Sequence, residues 1–129
     1  MACMVNLPDG TFMIMNGAHQ GVAGFGLATS PNLGAVLYDP TQPVGQRMSI
    51  LNTTVVARLY HSELALLPDG RVLVTGSDPQ TYLADGTAVY PEEFRIEVCL
   101  IYKMNIEVFL KCFIAGLRSS LPQPRVPTT

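Results

Sequence analysis

The chain has 129 residues, 48% of them hydrophobic and 14% charged, which is enough for one domain with a buried core. A formal net charge of −2 provides no basic field for nucleic acid or for an anionic membrane surface. The most apolar run, residues 98–114, is interrupted by Lys103, Asn105, Glu107 and Lys111. It falls short of the roughly 20 apolar residues of a membrane helix.

The N-terminal residues lack a basic segment followed by an apolar one, so no secretory signal is expected within this chain. Val5-Asn-Leu-Pro-Asp-Gly-Thr-Phe-Met-Ile-Met15 reads as strand, turn, strand. Proline presets φ, glycine accepts positive φ, and β-forming residues follow. Ala18-His-Gln-Gly-Val-Ala-Gly-Phe-Gly26 reads as a glycine-rich loop; with no basic residue before it and no helix after it, it is not a phosphate cradle. Residues 35–38 read as a strand stopped by Asp39-Pro40, and residues 48–51 as another short extended piece.

Leu67-Pro-Asp-Gly70 then repeats Leu7-Pro-Asp-Gly10 after sixty residues, with Leu64 to Leu67 before it and Arg71-Val-Leu-Val-Thr75 after it. Recurrence of strand, turn, strand and glycine at such a period marks kelch-type propeller blades; the alternative is two unrelated hairpins with a common turn. The expected architecture is all-β: a fragment of a kelch-type β-propeller with about two antiparallel blades. Residues 88–90 and 95–98 are expected to complete the second blade. Open blade edges and an apolar face between blades predict self-association.

Beyond Val98 turn signals disappear, and the apolar residues fit neither alternation nor a helical stripe, leaving helix and long strand open and the C-terminal segment irregular. The tail from Arg118 has three prolines and few apolar anchors, the composition of disorder. Cys3, Cys99 and Cys112 form no CxxC pair, and their odd number leaves at least one thiol unpaired within the chain, so they do not identify a redox compartment.

The chemistry is expected at Tyr60-His61. Adjacent strand residues point to opposite faces, so both reach one metal only at a strand end, at a bulge or on an inner propeller strand. A packed tyrosine beside a surface histidine is the bland alternative. His19 in the glycine-rich loop is read as structural or solvent-exposed, Asp9 and Asp69 as turn residues, and Glu92-Glu93 as a solvated loop. Arg58 either orients its segment or contacts substrate, and both remain open.

Asn6-Leu-Pro-Asp-Gly10, Ala35-Val-Leu-Tyr-Asp-Pro40, Arg58-Leu-Tyr-His-Ser62, Leu66-Leu-Pro-Asp-Gly-Arg71 and Tyr90-Pro-Glu-Glu-Phe-Arg-Ile-Glu-Val98 together resemble glyoxal oxidase, a copper radical oxidase related to galactose oxidase. The likeness spans roughly residues 4 to 98. It implies a seven-bladed kelch propeller followed by a small β-sandwich, extracellular, oxidising aldehydes or alcohols with reduction of O₂ to H₂O₂. It also implies one copper ion held by two tyrosines and two histidines, one tyrosine being cross-linked to a cysteine and carrying a radical. The motif carries over at Tyr60, as the axial tyrosine and proton acceptor, and at His61, as an equatorial ligand. None of the three cysteines matches the cross-linking position. The other tyrosine, its cysteine and the last histidine fall outside the match, so the expectation is a truncated oxidase that is inactive alone. The competing expectation is a non-catalytic kelch-type module that binds another protein. Residues 99–129 depart from the family and read as a divergent, non-native or disordered tail, in which an unspliced intron or a gene-model error has inserted the residues before Phe113-Ile-Ala-Gly-Leu117.

Overall fold

A computed structural model of the chain describes residues 1–104 and 107–115. Strand β1 (Cys3–Asn6) turns through Leu7-Pro-Asp-Gly10 into β2 (Phe12–Met15). The turn closes with Leu7 N–H donating to Thr11 O at 2.8 Å and Gly10 N–H to Leu7 O at 3.0 Å. Asp9 Oδ1 accepts from the Thr11 amide at 3.1 Å and the Thr11 hydroxyl at 2.6 Å, while Gly10 takes φ 83°. Short polar side chains that bond two residues onward, followed by glycine at positive φ, are what this turn requires.

β3 (Ala18–Gly21) and β4 (Ala28–Pro31) pair with each other in a small separate sheet. The expected glycine-rich loop is therefore a hairpin whose tip is residues 22–27. Gly21 permits it: a Cβ there would lie 2.0 Å from Leu27 O. β5 (Ala35–Tyr38) then pairs with β2, and β6 (Met48–Ile50) with β5, giving a four-stranded antiparallel sheet in the order β1-β2-β5-β6.

The next hairpin, β7 (Glu63–Leu66) and β8 (Val72–Thr75), reproduces the first after sixty residues, strand for strand and register for register. Cys3 faces Met15 in the first, and Glu63 faces Thr75 in the second. Its turn repeats the bonds Leu67 N–H to Arg71 O, 2.8 Å, and Gly70 N–H to Leu67 O, 2.9 Å. The Arg71 side chain bonds Asp69 at 2.7 Å, which holds the Asp69 carboxyl below the usual range.

The second sheet is completed differently from expectation. β9 (Thr81–Tyr82) and β10 (Ala88–Tyr90) form their own two-stranded sheet, because Leu83-Ala-Asp-Gly86 is a third turn of the same kind. Leu83 N–H donates to Thr87 O at 2.8 Å, Gly86 has φ 84°, and Asp85 Oδ1 accepts from the Thr87 amide at 2.9 Å. That backbone hydrogen bond holds the Asp85 carboxyl below its ordinary value. Residues 88–90 are thus folded back onto 81–82 and leave the second sheet free. Of the expected completing residues, Glu97 and Val98 do join it, as the start of β11 (Glu97–Met104) beside β8, and β12 (Glu107–Ile114) follows, in the order β12-β11-β8-β7. Where the sequence left helix and long strand open and expected irregularity, the chain to Ile114 is a long hairpin, and Cys99 opposite Cys112 forms a disulfide. The cross-strand partners alone bring these thiols together. The remaining cysteine, Cys3, is free. The expected disorder from Arg118 lies outside the described residues.

Each four-stranded sheet thus has its two-stranded hairpin inserted between its second and third strands. β1 packs against β7, and alternation sends Met13, Met15, Ala35 and Leu37 of one sheet and Val72, Val74, Cys99 and Leu110 of the other into a single buried cluster. Full burial of side chains of this size stabilises by about 1.5–3 kcal/mol each, enough to fix the register, since a one-residue slip would expose them. Among the described residues the protein is all-β, with antiparallel sheets that do not close on themselves. No helix of the described residues is long and apolar enough to cross a membrane.

Candidate functional site

Residues 51–62 carry the chain from the first sheet to the second, and their course is fixed by a buried charge. Arg58 is 0% exposed and Glu97 2% exposed. Arg58 Nε lies 3.1 Å from Glu97 Oε2; one guanidinium NH₂ donates to Gly76 O and the other to Arg95 O at 2.7 Å. Glu97 Oε1 accepts from the Thr54 hydroxyl at 2.5 Å, and Thr54 Oγ1 accepts from Val56 N–H at 3.1 Å. A buried guanidinium is tolerable when its donors are met by a carboxylate and carbonyls, as here. Of the two roles left open for Arg58, its contacts are those of an orienting residue.

This anchor delivers Tyr60 and His61 to the entrance of β7. Tyr60 O accepts from Asp78 N–H at 3.1 Å, Leu59 N–H donates to Ser77 Oγ at 3.1 Å, and Ser62 Oγ donates to Leu59 O at 3.0 Å. The approach of 76–78 is so close that a Cβ on Gly76 would lie 2.3 Å from His61 O. Gly76 itself has φ 73°, so glycine is required there on two counts.

His61 has φ 59°, in the left-handed region that few non-glycine residues occupy. Its consequence is geometric: strand alternation is broken, and the Tyr60 and His61 rings lie on one side, stacked with centroids 4.0 Å apart and planes inclined at 25°. The two side chains thus share one side of the turn just ahead of β7. Phe25, at the tip of the β3–β4 hairpin, stands edge-on to both rings, 5.3 Å from Tyr60 and 5.0 Å from His61. Sequence reading missed Phe25; a large aromatic between two glycines of a loop was the available signal. Tyr60 is half-buried and His61 exposed, and both border an open pocket of about 300 Å³ shared with Cys3, Ala23 and Glu63. Cys3 Sγ donates to Ser62 O at 2.9 Å.

The remaining candidates lie elsewhere. His19 is exposed on β3 and does not border the pocket; Asp9 and Asp69 are turn residues. The Glu93 carboxylate bonds the Arg95 side chain, which lowers its pKa.

The family model described as glyoxal oxidase N-terminus matches residues 1–102. The chain belongs to the glyoxal oxidase family. Over 100 residues it is 62% identical to a WSC domain-containing protein of Arthroderma benhamiae, covering 78% of this chain and 10% of that protein. Over 97 residues, 75% of this chain, it is 50% identical to aldehyde oxidase GLOX of Vitis pseudoreticulata and 43% identical to aldehyde oxidase GLOX1 of Arabidopsis thaliana. The chain spans 18% and 16% of those two relatives. The family match ends within β11.

As glyoxal oxidase residues, Tyr60 and His61 offer one phenol oxygen and one imidazole nitrogen, donors of the kind that suits Cu(II). Among the described residues no group of three or more His, Cys, Asp or Glu side chains is placed to hold a metal. By donor chemistry the pair would supply at most two ligands, short of a complete metal site.

Proposed function

We propose that the chain is a segment of a copper radical oxidase that oxidises aldehydes or alcohols, in which Tyr60 and His61 supply two of four protein ligands to one copper ion. The observation that carries this reading is the stacked Tyr60–His61 pair at the β7 entrance, turned to one side by the positive φ of His61 and open to a pocket. A packed tyrosine beside an unrelated surface histidine would not need that strained turn, which costs of order 1–3 kcal/mol.

Copper, with the family's cross-linked tyrosine radical, would supply two-electron oxidation chemistry: an alcohol and O₂ give an aldehyde and H₂O₂, and a hydrated aldehyde and O₂ give a carboxylic acid and H₂O₂. Tyr60 then serves as the base that takes the substrate hydroxyl proton. Tyr60 is half-buried and lines the pocket, which supports that role. His61 fixes the metal beside it, and Phe25 shields both rings from water on one side.

In the same reading the two four-stranded sheets are consecutive blades of a kelch-type propeller. The sixty-residue displacement and the equivalent position of the inserted hairpins support it. Residues 1–98 are its propeller part and 99–129 a divergent extension. The protein is extracellular, which the Cys99–Cys112 disulfide supports.

The 129-residue chain, with two ligands, is inactive by itself. The test is to measure copper content and peroxide release on glyoxal and simple alcohols for the full-length protein, its His61→Ala and Tyr60→Phe variants, and the isolated chain. Loss of turnover with weakened copper affinity in His61→Ala, and retained copper with lowered turnover in Tyr60→Phe, is expected. Full activity in His61→Ala would remove the assignment, and full-length protein free of copper would favour a non-catalytic binding module.

A further inference from the structure

We propose that Asn52 carries an N-linked glycan, attached before the loop that bears it closes onto the second sheet. Asn52-Thr-Thr54 is an Asn-X-Thr acceptor with no proline at X. It is the sole acceptor in the sequence, since Asn6, Asn16, Asn32 and Asn105 are followed at the second position by Pro8, Ala18, Gly34 and Glu107. Asn52 and Thr53 are exposed, in a segment without regular structure just after β6. A glycan there would extend into solvent. The Cys99–Cys112 disulfide fits an oxidising compartment, where such transfer occurs, and this step rests on the extracellular reading proposed above.

The order of events follows from Thr54. Acceptor recognition uses the threonine hydroxyl together with the asparagine amide on an accessible, pliable chain. In the folded protein Thr54 is 4% exposed and its hydroxyl donates to Glu97 Oε1 at 2.5 Å. The segment is strapped at both ends, Leu51 N–H to Ala35 O at 2.8 Å and Thr54 N–H to Leu33 O at 2.9 Å. Glu97 follows Thr54 by 43 residues, so during synthesis the acceptor is available for an interval before β11 exists to cover it. In the transfer, Asn52 Nδ2 attacks C1 of the sugar of a lipid-linked oligosaccharide diphosphate. The N–C1 bond forms, the C1–O bond to phosphate breaks, the amide proton is taken by a base, and the lipid diphosphate leaves; no redox partner is needed.

Glu97 alone accounts for a threonine at 54 on structural grounds, and only experiment separates the two uses of its hydroxyl. The 129-residue chain, fused to a cleavable export leader, is translated with microsomes present; in parallel, leaderless chain already folded is incubated with detergent-opened microsomes. During translation, a single endoglycosidase-sensitive mobility shift is expected, with glycoamidase leaving aspartate at position 52. Asn52→Gln and Thr54→Ala abolish the shift and Thr54→Ser retains it, whether or not those variants later fold. Absence of the shift during translation, or its survival in Asn52→Gln, overturns the site. Equal modification of the folded chain overturns the order of events. None of these outcomes bears on copper binding, so the oxidase reading stands or falls separately.

Discussion

Arg58→Met removes a guanidinium that is fully buried and makes contacts to Glu97, Gly76 and Arg95. What remains is a carboxylate, 2% exposed, that still accepts from the Thr54 hydroxyl, together with two carbonyls deprived of a charged donor. Breaking a buried ion pair from one side costs about 3–5 kcal/mol. Against a total stability of about 5–15 kcal/mol, that loss removes a large share. The paired change Arg58→Met with Glu97→Leu eliminates the unpaired charge and should recover part of the loss, leaving the cost of the unmet carbonyls and hydroxyl at about 1–3 kcal/mol for each group left wholly unsatisfied. Equilibrium urea unfolding of the single and double variants, followed by far-ultraviolet circular dichroism, measures both. The reasoning fails if Arg58→Met costs under about 1 kcal/mol, or if the double variant is no more stable than the single.

Gly76→Ala should destabilise by more than the ordinary glycine-to-alanine effect, because its Cβ would meet His61 O, and thermal melting should show it. Replacing Cys99 and Cys112 together by serine should cost about 2–4 kcal/mol, read from the same urea curves, and should leave the β7–β8 hairpin as the better-protected part of its sheet in hydrogen exchange. Acid should weaken the fold: Asp69, Asp85 and Glu93 have folded pKa values below their unfolded ones, so their contribution is present above about pH 4 and is lost as pH falls through the depressed values. A Tm series from pH 6 to pH 2 checks the sign. At micromolar concentration the isolated chain should associate through the open edges β6 and β12; Met48 is 61% and Ile50 87% exposed on β6, and a monodisperse monomer in light scattering would contradict this.

The repeat was legible because Leu-Pro-Asp-Gly encodes its own turn: proline, a side chain that bonds two residues on, and glycine at positive φ act locally, whatever surrounds them. Leu83-Ala-Asp-Gly86 uses the same aspartate and glycine without the proline, and it escaped notice, which misplaced residues 88–90. The β11–β12 hairpin was illegible for a different reason. Its register is set by pairing with β8 and by Cys99 meeting Cys112, contacts remote in sequence, and its side chains do not alternate cleanly in polarity. At the candidate site, Arg58-Leu-Tyr-His-Ser62 singled out Tyr60 and His61. The left-handed turn at His61 and the arrival of Phe25 were not, since both depend on close packing between segments distant in the chain.

Nitrogen coordination of the copper tests the central claim most directly. Electron paramagnetic resonance of the Cu(II) form of the full-length protein, loaded to equal copper in wild type and His61→Ala, counts the imidazole nitrogens coupled to the metal. The account predicts hyperfine structure from two imidazoles in the wild type and from one fewer in His61→Ala, with His19→Ala indistinguishable from wild type. Unchanged nitrogen coupling in His61→Ala would contradict it.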